Sequence, residues 1–599
     1  ILAQESITPR SERTKPAGPW FGPHPVAPPS MRSISWGRRC LAVVLVLASL
    51  FPRGYADLPV HCLRHQVVGE WDFTLGPLGP TRSACGHQKP DDAHAQPPES
   101  FLISMGPTTT LHISLQDPDT ASGEDGATGT WTMIYDEGFE VALGDQTYFA
   151  FSKFEYVDGE AGKTNVSHCD QTQIGWYHNA ARSRWGCYFG KKTGAAADPA
   201  MASSPNIEVH QQSERAAMLR VDQVEGPRAA PEDLDLQNAA GVPAEYTPWV
   251  PGSTGYDKPM HSAWQQSVAE ALNLMQLGWS AVTYGMFEGK TPRELNRYAG
   301  VRRSRPSRRQ GGSNATSLLA SRPQPPGPKA AFSSFLGIRA RVHRQVRRAG
   351  FKETEIFDWR DRNGRSWLEP VVTQGDCGSC YTISTVHMLT ARNRIRRSDA
   401  NAPAFSVTFP LYCSEYNQGC DGGYGFLQSK WSEDVGLVPE ACAPFSERSV
   451  GKCRALRDDC DLGSTRYRAV NHHYVGGFYG GSNEEQIRQE LVTNGPLVMS
   501  FEPKEDFMYY KSGIYRSGPN KIHQEWEQVD HAVLLVGYGV ENEQAYWSLQ
   551  NSWGTDWGED GYFRMARAID ESGCESIVVA ADVVEDASNE VLDGFLASL

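Results

Sequence analysis

The sequence predicts an α+β domain in its C-terminal part, preceded by an all-β antiparallel sheet or barrel and separated from it by a spacer. Three observations predict this. Short runs of aromatic and β-branched residues, punctuated by Gly and Asp, fill residues 57–192, and such alternation marks antiparallel strands. Composition then shifts to Ala, Pro, Ser and Gln across residues 193–350. Dense globular composition returns over residues 351–585, with helix and strand signals mixed. A chain of 599 residues is too long for one core, and at roughly 100–200 residues per domain it holds about three or four units. With 40% hydrophobic and 21% charged residues, wholesale disorder is excluded. A net charge of −14 argues against nucleic acid as the main partner, because phosphate binding needs a basic surface.

Taken in order, residues 41–51 form the only long apolar run, about half of what spans a bilayer. The run follows Met31, Arg32, Arg38 and Arg39 and leads to Gly54-Tyr55-Ala56. A basic start, a short apolar centre and a small residue at the cut predict a secretory signal over residues 31–56 and no stable membrane anchor. Residues 1–30 are then expected to be an upstream extension or an artefact of gene prediction. Cleavage after Ala56 would leave Asp57 at the mature N-terminus. The chain would enter an oxidising compartment, so its thirteen cysteines read as disulfides before metal ligands, and no metal site is expected.

Strand-like runs at 67–73, 130–135, 139–143 and 148–156 build the β domain. In the spacer, residues 262–279 have helical apolar spacing. Residues 291–350 carry many arginines and a single acid, Glu294, with dibasic pairs at Arg302-Arg303, Arg308-Arg309 and Arg347-Arg348. In a secreted chain that pattern reads as a pro-segment cut by activating proteases, in preference to a nucleic-acid tail. Residues 586–599 read as a tail.

The chemistry lies in residues 351–585. Gln374-Gly375-Asp376-Cys377-Gly378-Ser379-Cys380-Tyr381 precedes a segment with Ile383, Val386 and Leu389 at helical spacing, which places Cys380 at a helix start. The positive end of the helix dipole and free backbone N–H groups there favour thiolate over thiol. A thiolate nucleophile needs an acid–base partner to protonate a leaving amine. Asp530-His531 followed by Ala532-Val533-Leu534-Leu535-Val536 reads as a buried strand with a histidine at its start. Gln550-Asn551-Ser552-Trp553-Gly554 follows, and an Asn oxygen can accept the second imidazole N–H. Cys, His and Asn in this order are the cysteine version of the triad logic.

On these motifs the chain resembles the papain-like cysteine peptidases from about Asp358 to Val584, with Asp358-Trp359-Arg360 matching the usual start of the mature enzyme. The resemblance implies a papain-like α+β fold with a helical left domain and a β-barrel right domain. It implies Cys380 as nucleophile, His531 as acid/base, Asn551 as orienting residue and Gln374 as oxyanion-hole donor. Trp553 would shield the His–Asn bond, and Gly422 and Gly423 would let substrate backbone approach the cleft wall.

Asp57-Leu58-Pro59-Val60-His61-Cys62, Gly69-Glu70-Trp71-Asp72-Phe73, Tyr135-Asp136-Glu137-Gly138-Phe139-Glu140 and Trp185-Gly186-Cys187-Tyr188-Phe189-Gly190 resemble the exclusion domain of the dipeptidyl-peptidase branch of that family. So do Gly175-Trp176-Tyr177-His178, Tyr381 after the nucleophile, Trp279-Ser280-Ala281-Val282-Thr283-Tyr284 and Tyr474-Val475-Gly476-Gly477-Phe478-Tyr479. The resemblance implies a lysosomal-type exopeptidase that removes dipeptides from free N-termini through an acyl-enzyme. The Asp57 carboxylate would pair with the substrate ammonium. It also implies a chloride ion held by the Tyr474 hydroxyl and the backbone amide of Phe426, where the family has Tyr. A second activating cut within residues 515–528 and a homotetramer are implied as well. Implied bridges are Cys62–Cys169, Cys85–Cys187, Cys377–Cys420, Cys413–Cys453 and Cys442–Cys460. Sequence alone leaves connectivity open. Cys40 leaves with the signal, Cys380 stays free, and Cys574 has no assigned partner. Asn165-Val166-Ser167 and Asn314-Ala315-Thr316 match the glycosylation pattern.

The alternative reading is a papain-like endopeptidase with an accessory β domain, and a non-catalytic scaffold is the rival from another class. By formal count residues 1–56 carry +5 and residues 191–350 carry +8, so loss of both would take −14 to about −27.

Overall fold

The computed structural model describes residues 62–87, 97–157, 164–193, 258–295, 298, 356–445, 453, 456, 460, 466–517, 531–586 and 590–597. All lie within the compact unit Gly54–Leu599.

Nine strands form the N-terminal domain: β1 (Gly69–Leu75), β2 (Thr109–Gln116), β3 (Thr120–Gly123), β4 (Thr128–Ile134), β5 (Gly138–Leu143), β6 (Gln146–Val157), β7 (Thr164–Thr172), β8 (Gly175–Asn179) and β9 (Trp185–Lys192). Consecutive antiparallel pairing from β1 to β6, continued by β6–β8, β8–β9 and β9–β1, closes a ring of eight strands. β7 lies beside it, on β6 and β9. Closure removes the open sheet edges. Alternation does the rest: Trp71 and Phe73 of β1 point inward, against Phe139 at 5.2 Å and Tyr188 at 4.8 Å between ring centroids. Cys62 is bonded to Cys169 and Cys85 to Cys187, stapling the ends of the domain to its strands.

In the spacer, α1 (Ser262–Leu274) ends short of the expected residue 279. Gln276 and Gly278 take φ values of 51° and 88°, a left-handed stop that the helical apolar spacing does not reveal. Trp279 instead opens β10 (Trp279–Ala281), which pairs with β14 (Tyr510–Tyr515) of the C-terminal domain.

That domain contains α2 (Cys380–Arg397), α3 (Gly425–Asp434), α4 (Glu484–Asn494) and a mixed sheet. The sheet strands are β11 (Phe357–Asp358), β12 (Arg466–Tyr474), β13 (Leu497–Phe501), β15 (His531–Glu541), β16 (Gln544–Gln550), β17 (Tyr562–Ala566) and β18 (Ile577–Asp586). Their order is β10-β14-β17-β16-β15-β13-β18-β12, with β11 on β15. α2 is buried from Cys380 to Asn393, so it reads as a core helix with no polar face until its last turn. Asn483 caps α4 by accepting from Gln486 N. Cys377–Cys420, Cys413–Cys453 and Cys442–Cys460 are bonded, and Cys380 and Cys574 are buried and form no disulfide. Residues expected as a tail include α5 (Glu590–Ala597), whose Leu592 is buried and whose Phe595 packs on Phe409 and Trp431.

The barrel docks on α3 through a buried charge cluster. Glu140 of β5 meets Lys430 at 2.8 Å and His472 at 3.1 Å. His472 bonds Glu433 through its other nitrogen at 2.6 Å. Arg182 pairs with Glu433 and Asp434, and Arg82 with Glu415. Every charge there has a partner, as burial demands. Among the described residues no helix is long and apolar enough to cross a membrane. No group of His, Cys, Asp and Glu among them could hold a metal ion.

Candidate active site

Cys380 is the first residue of α2 and wholly buried. The Cys377–Cys420 bond and the Gly378 N–H donated to Cys420 O at 2.8 Å fix the loop that delivers it. Tyr381, next along, donates its hydroxyl to Gly419 O at 3.1 Å and ties the helix to the segment holding Gly422 and Gly423. Gly422 sits at φ +127°, and a Cβ on Gly423 would come within 2.4 Å of the Asn417 amide oxygen. Both positions therefore require glycine, and they leave bare backbone along this wall.

His531 opens β15 opposite Phe501 of β13. Its Nε2 meets Asn551 Oδ1 at 2.7 Å, so proton transfer falls to the Nδ1 edge. Trp553 stacks on the imidazole at 5.1 Å and 29°. Burial of the ring pushes the His531 pKa down to about 4, against the raising effect of the Asn551 bond. The imidazole is thus neutral over most of the acidic range in this form of the chain.

Gln374 is held from three sides. Its backbone N–H donates to Ser552 O at 2.9 Å, its Oε1 accepts from Ser552 Oγ at 2.6 Å, and its Nε2 donates to Cys377 O at 3.0 Å. The amide group carries two N–H donors, and this bond takes one of them. Asn551 Oδ1 also accepts from Ser552 N at 2.8 Å, so Ser552 locks both amides. Gln374, His531, Asn551 and Trp553 form one connected set, and Cys380 opens α2 just beyond the Cys377 carbonyl that Gln374 holds. A thiol at a helix start, an imidazole oriented by an amide, and a fixed amide donor suit acyl transfer.

Part of the spacer lies on this set. Trp553 Nε1 donates to Tyr298 O at 2.9 Å, Phe287 and Tyr298 pack edge-on against the Trp553 ring, and Lys290 pairs with Asp376 at 2.7 Å.

Phe426 and Tyr474, expected to act together, stack at 4.5 Å and 13°. Tyr474 is fully buried, with its pKa driven well above the usual phenol value by desolvation first and by neighbouring Tyr135 next. Phe426 is the second residue of α3, where backbone N–H groups have no intrahelical partner. Tyr135 of the β domain packs on Tyr424 at 3.8 Å, the rings tilted by 32°, and donates to Ser500 Oγ at 3.2 Å. Sequence reasoning singled out neither Ser500, Ser552, Tyr424 nor the charge cluster. Ser500 and Glu140 meet partners 365 and 332 residues away and Ser552 meets Gln374 178 residues away, and no local spacing signals that. Asp57 and Asn314 lie outside the described residues, and Asn165 lies in β7 with its side chain outside them.

Comparison with known proteins places the chain in a family. Residues 354–582 match the papain family cysteine proteases, and residues 57–192 match the cathepsin C exclusion domain. "Cathepsin B-like CP3" of Giardia intestinalis is 34% identical over 234 residues, covering 38% of this chain and 73% of that protein. The chain belongs to the papain family of cysteine proteases. Within that family its similarity extends along nearly the whole chain to "Cathepsin C" of Schistosoma mansoni, 28% identical over 558 residues and covering 92% of this chain and 99% of that protein. Among solved structures, procathepsin B S9 from Trypanosoma congolense superposes with a TM-score of 0.40 at 24% identity, covering 55% of this chain and 100% of that one.

Proposed function

We propose that the chain is the precursor of a cysteine-type dipeptidyl peptidase of the secretory pathway, in a lysosome-like vesicle or secreted, which removes dipeptides from free N-termini. One observation carries this reading. The β domain is fastened against the same wall as Gly422 and Gly423, with Tyr135 lying on Tyr424 and bonded to Ser500. A domain anchored there leaves a substrate little room beyond its second residue. Cys62 is bonded to Cys169 and donates its N–H to Asp136 O at 2.8 Å, next to Tyr135. A chain start five residues earlier, at Asp57, can reach about 17 Å from that anchor, and so can meet a substrate ammonium.

In the proposed reaction the Cys380 thiol passes its proton to His531 Nδ1 and its sulfur attacks the scissile carbonyl carbon, expelling the amine, which takes that proton from His531 Nδ1. Gln374 Nε2 and the Cys380 backbone N–H stabilise the oxyanion. Water, deprotonated by His531, then breaks the thioester and releases the dipeptide. Asn551 keeps the imidazole in register throughout. The Phe426 N–H and the Tyr474 hydroxyl are donors suited to a chloride ion, which would supply a fixed negative charge beside these two residues. We assign the spacer contacts on Trp553 to a latent state, relieved when proteases remove much of residues 193–350 and cut within residues 515–528. The homotetramer of related enzymes is carried over as part of the same reading. The test is cleavage of a dipeptidyl reporter with a free amine against its N-acetylated twin after activation. Cleavage of the free-amine reporter alone supports the reading. Equal cleavage of both would identify an endopeptidase, and cleavage of neither a scaffold.

A further inference from the structure

Residues 475–481 form a glycine-rich loop between β12 and α4. Gly476, Gly477 and Gly480 have φ of +96°, +95° and +80°, and a Cβ on Gly476 would lie 2.1 Å from Gly481 O. Such a loop has many alternative conformations when free, so holding it in one costs entropy that contacts must offset. The peptidase contributes Ser482 Oγ to Val475 O at 2.7 Å and Gly481 N to Phe478 O at 2.8 Å.

Val475 N and Gly477 N also donate within the peptidase, to Val578 O at 2.8 Å and Tyr474 O at 2.9 Å, and the tip of the loop is held from the β domain. Arg64 Nη2 donates to Tyr479 O at 2.6 Å and Nη1 to Pro118 O. The guanidinium lies over the Phe478 ring at 4.9 Å and the Trp131 ring at 5.5 Å. Thr132 Oγ1 accepts from Tyr479 N at 2.9 Å. Arg64 is two residues from the disulfide-bonded Cys62, so the clamp is rooted in the barrel.

The loop in turn holds an aromatic wall. The Tyr479 ring lies 5.2 Å from Tyr135 and 5.6 Å from Tyr474, and Tyr474 stacks on Phe426. Tyr135 reaches Ser500, which pairs across the sheet with Ala532, the neighbour of His531.

We propose that Arg64 is a positioning residue: by fixing loop 475–481 it sets the aromatic wall against which the side chain of the substrate's N-terminal residue packs. The proposal rests on the dipeptidyl-peptidase reading. A planar fork that serves two carbonyls and two ring faces at once is a task for arginine, and lysine cannot replace it.

The test uses the activated full chain with two free-amine dipeptidyl reporters, one with Phe and one with Gly at the N-terminus. Arg64→Ala and Arg64→Lys should each raise KM for the Phe reporter about tenfold, with kcat changed less than about twofold and the Gly reporter little affected. Phe478→Ala should do the same. The Arg64→Ala/Phe478→Ala double variant should be no worse than either single one, because both remove one clamp. Equal losses on both reporters, a loss in kcat alone, rescue by lysine, or multiplying effects in the double variant would overturn the proposal. The N-acetylated twin, run on the unmodified enzyme, reports separately on the dipeptidyl reading. If that enzyme cleaves both twins alike, the dipeptidyl reading fails whatever the Arg64 variants do.

Discussion

A side-chain amide decides which edge of His531 can work. Asn551 takes Nε2 at 2.7 Å, and Trp553 lies over the ring, so this bond is shielded from water. Asn551→Ala should lower kcat by about 10²-fold with KM nearly unchanged. Steady-state kinetics on the activated enzyme check this, and a rise in KM alone would move Asn551 out of the chemistry. Ser552→Ala, which frees the Gln374 amide, should cost about tenfold in kcat by loosening the oxyanion donor. At this scale the sequence was highly legible, because Cys380, Gln374, His531 and Asn551 each sit inside a short motif with telling neighbours. Ser552 stood within one of those motifs and passed unnoticed, since nothing local says that its hydroxyl faces Gln374.

Among the elements, β10 and the residues after it make the contacts to which we assign the proposed latency. Trp279 donates Nε1 to Arg516 O at 2.8 Å and packs on Tyr515, and the following chain leads to Phe287 and Tyr298 on Trp553. Trp279→Ala removes this anchor, so the precursor should activate several-fold faster under limited proteolysis, and the time course of reporter cleavage measures it. An unchanged time course would mean that the spacer is held elsewhere. Barrel strands and the helix at Cys380 followed from alternation and apolar spacing. The end of α1 did not, because its left-handed stop at Gln276 and Gly278 interrupts an apolar pattern that runs on into β10. Nor did α5, whose apolar face is short and becomes meaningful only against Phe409 and Trp431.

Over the whole molecule, the barrel and peptidase are joined by charges that only the fold brings together, as with Glu140 and His472, which lie 332 residues apart. Burial opposes charge on His472, but Glu140 and Glu433 override it and raise its pKa from 6.5 to about 9. A raised folded-state value stabilises the docked form fully below pH 6.5, and that contribution is lost as pH rises toward 9. Thermal unfolding should therefore show docking weaken between those limits, and His472→Gln should flatten the dependence. A wild-type profile already flat across that range would refute the assignment. Lys430→Met takes one buried cation away from both Glu140 and Asp434, leaving His472 and Arg182 to hold them, and should cost up to about 3–5 kcal/mol. No pattern within either domain announces this interface, whereas the two domains themselves were separable by composition alone.

On the proposed reading, a docked β domain turns a papain-family cleft into one that counts two residues from a free end. The most direct measurement is a mass-spectrometric time course on an unblocked peptide of about ten residues, digested by the activated enzyme. The account predicts successive losses of two residues from the N-terminus, with no internal fragments and no cleavage once that terminus is acetylated. Internal fragments appearing early, with or without the acetyl group, would contradict it.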